Sequence, residues 1–443
     1  MKLIAFIVSF ALSACLFLSI GASAELASNQ SAYAPPFAND GARMELVSFL
    51  EEARNYTLNN GTDEALKAFC DPNGEFVRGD MYVFAYDFEG TLLAHPYLHN
   101  LIGRNNLDLV DPNGVHFIKN LIEVAKSGKG FAYNVYPNPK KANQTQFKLL
   151  YVLKVDDNLW IGSGIYLPGQ APLFSFEDQQ RLLAFVDEAR DYALKNGKNK
   201  SLRVFNDPEG EFVRGGLYVF AYDFLGNALC LPFQPKLLGT NRLDGIDSNG
   251  IAFTKDNLEL ARTGSGQTYY LYPNPSENMS EELKLSYTTK VDDNWWLAAG
   301  IFSSSSSAQN LSAMKPASRE ELKTFVEEAY SHALVAGKDK ALTEFMDLNS
   351  SWVREDVYIF AQDFNGTALC LPYLPKEVGT NRMDIQNDQG VYINREMRAL
   401  AMNGSGFYEY RWINPISNQS EAKVSYVSKV DDTWWLGAGI YEA

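Results

Sequence analysis

Apolar residues recur at helical spacing at three places along the chain. The sets are Leu46, Phe49, Leu50, Ala53 and Thr57; Leu182, Phe185, Val186, Ala189 and Ala193; and Leu322, Phe325, Val326, Ala329 and Ala333. Steps of three and four put each set on one stripe, which predicts three amphipathic helices. Ser175 with Asp178 and Ser318 with Glu321 have capping-box spacing ahead of the second and third. Gly61, Gly197 and Gly337 stand where a C-terminal cap belongs. After each helix the period changes to two. Tyr82, Phe84 and Tyr86 fall on one face of a predicted strand, with Val83, Ala85 and Asp87 on the other. "DFEG" turns the chain into "TLLAHP", and a second helix, "VHFIKNLIEVAK", follows the "DPNG" turn. The remainder reads as three strands, the last two joined by a tight Asp-Asp turn. Helix, two strands, helix and three strands predict an α+β domain on an antiparallel sheet.

The same order of elements is written three times. Tyr82, Tyr218 and Tyr358 head "YVFAYDFEG", "YVFAYDFLG" and "YIFAQDFNG", at steps of 136 and 140 residues. "KVDDNLW", "KVDDNWW" and "KVDDTWW" begin at Lys154, Lys290 and Lys429. Paired aspartates suit a turn and the tryptophans a buried strand, so the phrase is expected to be scaffold: the hairpin between the final two strands. The repeat predicts tandem domains over 41–166, 176–302 and 318–441, with a serine-rich linker over 303–317.

A formal charge of −15 and a sequence pI near 4.9 exclude nucleic acid as a natural partner, since no basic run offsets them. The first 24 residues hold a lysine, a long apolar run and Ala22-Ser23-Ala24. They read as a signal peptide cleaved after Ala24. An uncleaved N-terminal anchor and a lipoprotein box ending at Cys15 are the alternatives. Either way the chain is expected outside the cytoplasm, extracellular or periplasmic. Eleven Asn-x-Ser/Thr sequons fit an exported glycoprotein. Beyond Cys15, Cys70, Cys230 and Cys370 make no disulfide framework. Cys230 and Cys370 stand where the first copy has Ala94, as small buried hydrophobes would.

Each copy resembles the single Cache domain, type 2, an extracellular sensor module with a PAS-like fold. The residues that carry the resemblance are "YVFAYDFEGTLLAHP", the Gly103-Arg104-Asn105 step, the Asp-x-x-Gly turn, the Pro-x-Pro arm and the closing "W.IGSGIY". The resemblance implies three tandem PAS-like domains, each an antiparallel sheet with a long N-terminal helix. It also implies a pocket for a small organic carboxylate, lined in the first copy by Tyr86, His95, Arg104, Asn134, Tyr136, Lys148 and Tyr151. The corresponding residues are Tyr222, Tyr270, Lys284 and Tyr287 in the second copy and Gln362, Tyr410, Lys423 and Tyr426 in the third. His95 becomes Leu231 and Leu371, and Arg104 becomes Thr240 and Thr380, so the copies are not expected to share one specificity.

The arginine of "FVRG" (Arg78, Arg214, Arg354) is expected to pair with a nearby carboxylate. No repeated nucleophile–base set, HExxH, CxxC or EF-hand loop occurs, so no catalytic residue, metal or cofactor is assigned. Two readings remain. One is an exported binding protein for a small organic acid, reporting to a membrane receptor or a transporter component, with no effector domain after the third sheet. The other is a cell-surface spacer whose copies have lost their pockets.

Overall fold

The computed structural model describes residues 38–141, 144–169, 171–304 and 315–441. The signal or anchor segment, the sequons at Asn29, Asn143 and Asn310, and most of the linker lie outside the described residues. Each of the three copies folds as its own module on a five-stranded antiparallel sheet.

Module 1 opens with helix α1 (Asp40–Asn60), capped by the Asn39 side chain, and a short α2 (Thr62–Phe69). Its sheet consists of β1 (Phe84–Tyr86), β2 (Leu92–Ala94), β3 (Lys129–Asn138), β4 (Gln144–Lys154) and β5 (Trp160–Tyr166). Helix α3 (Phe117–Lys126) enters between β2 and β3. The order across the sheet is β2-β1-β5-β4-β3. Module 2 repeats this with α4 (Phe176–Asn196), α5 (Lys198–Phe205), β6 (Phe220–Asp223), β7 (Ala228–Cys230), α6 (Phe253–Arg262), β8 (Ser265–Asn274), β9 (Ser280–Lys290) and β10 (Trp295–Phe302). Module 3 has α7 (Arg319–Ala336), α8 (Lys338–Met346), β11 (Phe360–Asp363), β12 (Ala368–Cys370), α9 (Ile393–Met402), β13 (Ser405–Ile413), β14 (Ser420–Lys429) and β15 (Trp434–Tyr441).

The alternation within strands sorts each sheet into two faces. Leu46, Phe49, Leu50 and Ala53 of α1 pack on Val83, Ala85, Leu153 and Ile161. Tyr82, Phe84, Tyr86, Val152 and Trp160 point the other way, under Ile118 and Leu121 of α3. Gly61, Gly197 and Gly337 end the long helices at φ of 87°, 77° and 82°, backbone that a side chain would strain. The same glycines start α2, α5 and α8, helices too short to show a period in the sequence. Lys154, Lys290 and Lys429 end β4, β9 and β14, so the KVDD phrase is the expected hairpin. Each lysine bonds the second aspartate of the next turn (Asp157, Asp293, Asp432) at 2.6–2.7 Å. Arg78, Arg214 and Arg354 pair with Glu52, Glu188 and Glu328 of the long helices. Cys230 and Cys370 are buried thiols.

Modules 1 and 2 interlock about a pseudo-two-fold axis. The Tyr269 hydroxyl of module 2 donates to Asp111 Oδ2 at 2.8 Å and accepts from Asn113 Nδ2 at 2.7 Å. Reciprocally, Tyr133 of module 1 accepts from Asn249 Nδ2 at 2.6 Å and donates to Asp247 Oδ2 at 3.4 Å. The DPNG and DSNG turns are therefore more than local turns. Module 3 has Glu409, Asn387 and Gln389 at the equivalent positions and, among the described residues, makes no such lock. Val391 is accordingly 37% exposed where Val115 and Ile251 are buried. Module 3 meets module 1 elsewhere, through Asn100 Nδ2 on Leu334 O and Arg104 Nη1 on Val430 O.

Candidate functional site

The sheet face opposite the long helix carries one lysine per module, set by the register of the central hairpins. Lys148 lies across from Asn134 on β3 and Tyr166 on β5, Lys284 from Tyr270 and Phe302, and Lys423 from Tyr410 and Tyr441. All three lysines are at most 3% exposed. Lys148 Nζ donates to the Tyr82 hydroxyl at 2.9 Å, Lys284 Nζ to Tyr218 at 3.0 Å and Lys423 Nζ to Tyr441 at 3.1 Å. Aromatic faces supply the rest of the surroundings. Lys148 sits 4.1 Å from the Tyr82 ring and 4.7 Å from that of Tyr166; Lys284 sits 4.1 Å from Tyr218 and 4.9 Å from Phe220. Burial pulls each ammonium down to a pKa of about 7, because removing water penalises the charged form.

Room for these lysines comes from glycine. A Cβ on Gly164 would meet Lys148 Cε at 2.8 Å, one on Gly300 would meet Lys284 Cε at 2.5 Å, and one on Gly439 would strike Lys423. Gly300→Ala is expected to destabilise the protein by about 1–3 kcal/mol, the usual cost of overpacking. Urea denaturation of variant against parent measures it, and an unchanged midpoint would mean that the lysine moves aside freely.

Around Lys148, Tyr86 stacks on Trp160 at 5.1 Å and accepts from Asn106 Nδ2 at 3.2 Å; burial lifts its pKa to about 12. His95 is buried, and its Nδ1 accepts from the N–H groups of Tyr97 and Leu98 at 3.1 and 3.2 Å. Burial, and after it the charge of nearby Lys148, hold its pKa well below the usual histidine range, consistent with an Nδ1 that accepts rather than donates. Asn134 Oδ1 is buried without a hydrogen bond, and Tyr136 lies 5.7 Å from Lys148 Nζ. In module 2 a cavity of about 10 Å³, roughly one water, is lined by Tyr222, Tyr270, Lys284, Phe253, Thr254 and Trp296, among others. In module 3 Gln362 bonds Asn394 at 3.1 Å, and the Tyr410 hydroxyl lies 3.0 Å from Ser425 Oγ. At Tyr86, Tyr222 and Gln362 the pairing of the first two strands shifts register, a bulge beside the pocket.

The structure thus gathers Tyr86, His95, Asn134, Tyr136 and Lys148; Tyr222, Tyr270 and Lys284; and Gln362, Tyr410 and Lys423. Four residues expected in the pockets lie elsewhere. Tyr151, Tyr287 and Tyr426 are three positions beyond the lysine on the same strand, and the two-residue period turns them to the opposite face. Tyr151 packs with Leu46 and Phe49 of α1, and Tyr426 with Leu322 and Phe325 of α7. Arg104 reaches the last hairpin of module 3, where its charge adds to the Thr433 bonds that lower the pKa of Asp431 and to the Lys429 pair that lowers that of Asp432. Sequence reasoning also left out Tyr82 and Tyr218, the hydroxyls that hold the lysines. Their spacing of four from Tyr86 and Tyr222 put them on the same strand face.

The family model for single Cache domain 2 matches residues 44–168 and 187–314, and a model described as Cache domain matches 317–443. The sensor histidine kinase MctS of Rhizobium johnstonii is 38% identical over 89 residues, 20% of this chain and 19% of that protein. The chain therefore spans about a fifth of the length of that curated relative. A Cache chemosensory domain solved for carboxylic acid recognition is 27% identical, covering 28% of this chain and 92% of that one, at a TM-score of 0.25. A methyl-accepting chemotaxis protein of Vibrio parahaemolyticus RIMD 2210633 is 28% identical, covering 29% and 89%, at 0.26.

Proposed function

The chain belongs to the single Cache domain 2 family, and on that premise we propose that it is an exported, sensor-type protein that captures a small organic carboxylate. The observation that carries the reading is the buried lysine of each module, facing tyrosine hydroxyls and aromatic rings on the pocket face of the sheet. An ammonium so placed lacks the solvation it had in water, and a carboxylate supplies what is missing as a charge-assisted hydrogen bond. Cache modules are sensor modules that typically work outside the cytoplasm, in keeping with the secretory character of residues 1–24. The liganded form would be read by a membrane receptor or a transporter component.

A thermal-shift screen of the full chain against acetate, propionate, pyruvate, lactate, amino acids and urea tests the reading. Ligand at 100 times its Kd stabilises by about 2.7 kcal/mol, a clear rise in Tm. Silence from the whole panel would favour a surface spacer built of Cache modules.

A further inference from the structure

The seam between the pocket-side helix and the sheet is built differently in modules 1 and 2. In module 1 it is apolar: Ile118 and Leu121 of α3 and Leu150 and Val152 of β4 belong to one buried core cluster. The matching positions in module 2 are Thr254, Asn257, Ser286 and Thr288, all polar and at most 2% exposed. Module 1 shows that the fold needs no polar group there, and burying four costs stability unless each finds a partner. Three do. Asn257 Nδ2 donates to Phe253 O, and Asn257 Oδ1 accepts from the Ser286 and Thr288 hydroxyls. Thr254 Oγ1 is buried without a hydrogen bond, although the Tyr222 hydroxyl is its neighbour.

Thr254 borders the module 2 cavity from α6, and Lys284 borders the same cavity from the sheet. Unpaired buried atoms by themselves do not tell the modules apart: module 1 has Asn134 Oδ1 and Tyr97 Oη, and module 3 has Gln362 Oε1 and Trp435 Nε1. The seam does. Module 2 sets a helix-side hydroxyl and a sheet-side lysine on one space, where module 1 has Ile118 in place of the hydroxyl. Module 3 mixes the two arrangements, with Asn394, Met397, Ser425 and Val427 at these positions. There Asn394 bonds Gln362 and Arg382 O, and Ser425 bonds Tyr410.

Resting on the carboxylate reading above, we propose that module 2 grips its ligand from two sides, with Lys284 on the sheet and the Thr254 hydroxyl on α6. Module 1, whose seam is filled by Ile118, Leu121, Leu150 and Val152, holds no ligand. A ligand oxygen that accepts from Thr254 removes the cost of burying that hydroxyl. The same group therefore destabilises the empty fold and stabilises the complex.

Calorimetric titration of the full chain carrying Lys423→Met, which leaves the pockets of modules 1 and 2, tests both halves with acetate, propionate and lactate as probes. One site is expected, and adding Lys284→Met should remove it. Thr254→Val, which deletes the hydroxyl at nearly constant shape, should weaken the bound probe about tenfold or more. Thr254→Ser keeps the hydroxyl and should stay close to the parent. Thr254→Val should also raise the Tm of the ligand-free chain, because an unpaired hydroxyl leaves the interior. A fall in that Tm would mean that the hydroxyl serves the fold, and it would overturn the proposal. So would unchanged affinity in Thr254→Val, or a site that survives Lys284→Met. Silence toward all three probes in the Lys423→Met chain, with binding in the parent, would overturn it too and leave carboxylate capture to module 3. Silence in the parent as well brings both readings down.

Discussion

The ligand-free protein should gain stability as the pH rises from about 7 to about 10. The buried lysines have folded pKa values of about 7, against 10.5 when exposed. Between those values the unfolded chain binds more protons than the folded one, so unfolding becomes harder with increasing pH. Below pH 7 the folded protein bears the full cost of three buried ammonium groups; above about 10 that cost is gone. A shift of this size is worth on the order of 5 kcal/mol per lysine. The window is bounded on both sides. Burial raises Asp111 and Asp247 to about 6, Glu328 to about 7 and Asp256 to about 8, so their contribution falls as the pH rises from about 4 to 8 and offsets part of the lysine gain at the low end of the window. Burial raises the tyrosines of the pocket as well, so their contribution falls above pH 10. Urea denaturation at pH 7, 8, 9 and 10 measures the slope, and a Lys148→Met, Lys284→Met, Lys423→Met triple variant should flatten it. A triple variant with the parent's slope would place the titrating groups elsewhere. The same proton governs binding: a carboxylate needs the ammonium form, so affinity should fall about tenfold per pH unit above 7.

Asp111→Ala should cost about 3–5 kcal/mol, and Asp247→Ala about the same. Asp111 accepts from the N–H groups of Asn113, Val115 and Val135 and from the Tyr269 hydroxyl. Alanine leaves those buried donors unmet, at roughly 1–3 kcal/mol for each that finds no water. Asn387→Ala is the internal control. It caps its own turn through the N–H groups of Gln389 and Val391 but makes no lock to another module, so its loss should cost about 1–2 kcal/mol. Limited proteolysis supplies a second readout, with faster cleavage in residues 167–175 expected of the Asp111 and Asp247 variants alone. Equal costs at all three sites would mean that the turn, and not the lock between modules, holds the energy.

Much of this was legible in the chain itself. Period fixed the faces: steps of three and four set the stripe of α1, and alternation put Tyr82 and Tyr86 opposite Val83 and Ala85. Repetition fixed the number of modules, and paired aspartates before tryptophan marked a hairpin three times. The sheet face of Lys148, Lys284 and Lys423 was legible too, because the resemblance aligned them onto strands of known parity. Tyr151, Tyr287 and Tyr426 were misplaced although the same parity counts against them: alignment to a family motif outweighed the odd step from the lysine.

Other features had no local signature. Arg104 leaves the pocket for module 3 because the packing of one module on another, set by surfaces far apart in sequence, offers it the carbonyl of Val430. Nothing local to Tyr133 or Tyr269 marks them, and only the packing of modules 1 and 2 shows that each completes the other module's turn. Asp80 and Asp356, whose charges oppose the effect of burial at Lys148 and Lys423, lie in turns ahead of Tyr82 and Tyr358, far in sequence from the lysines. Local sequence determines which face a side chain occupies, because backbone geometry repeats every 2.0 or 3.6 residues. What that face meets is decided by long-range packing, and with it the desolvation that sets the charge of each pocket.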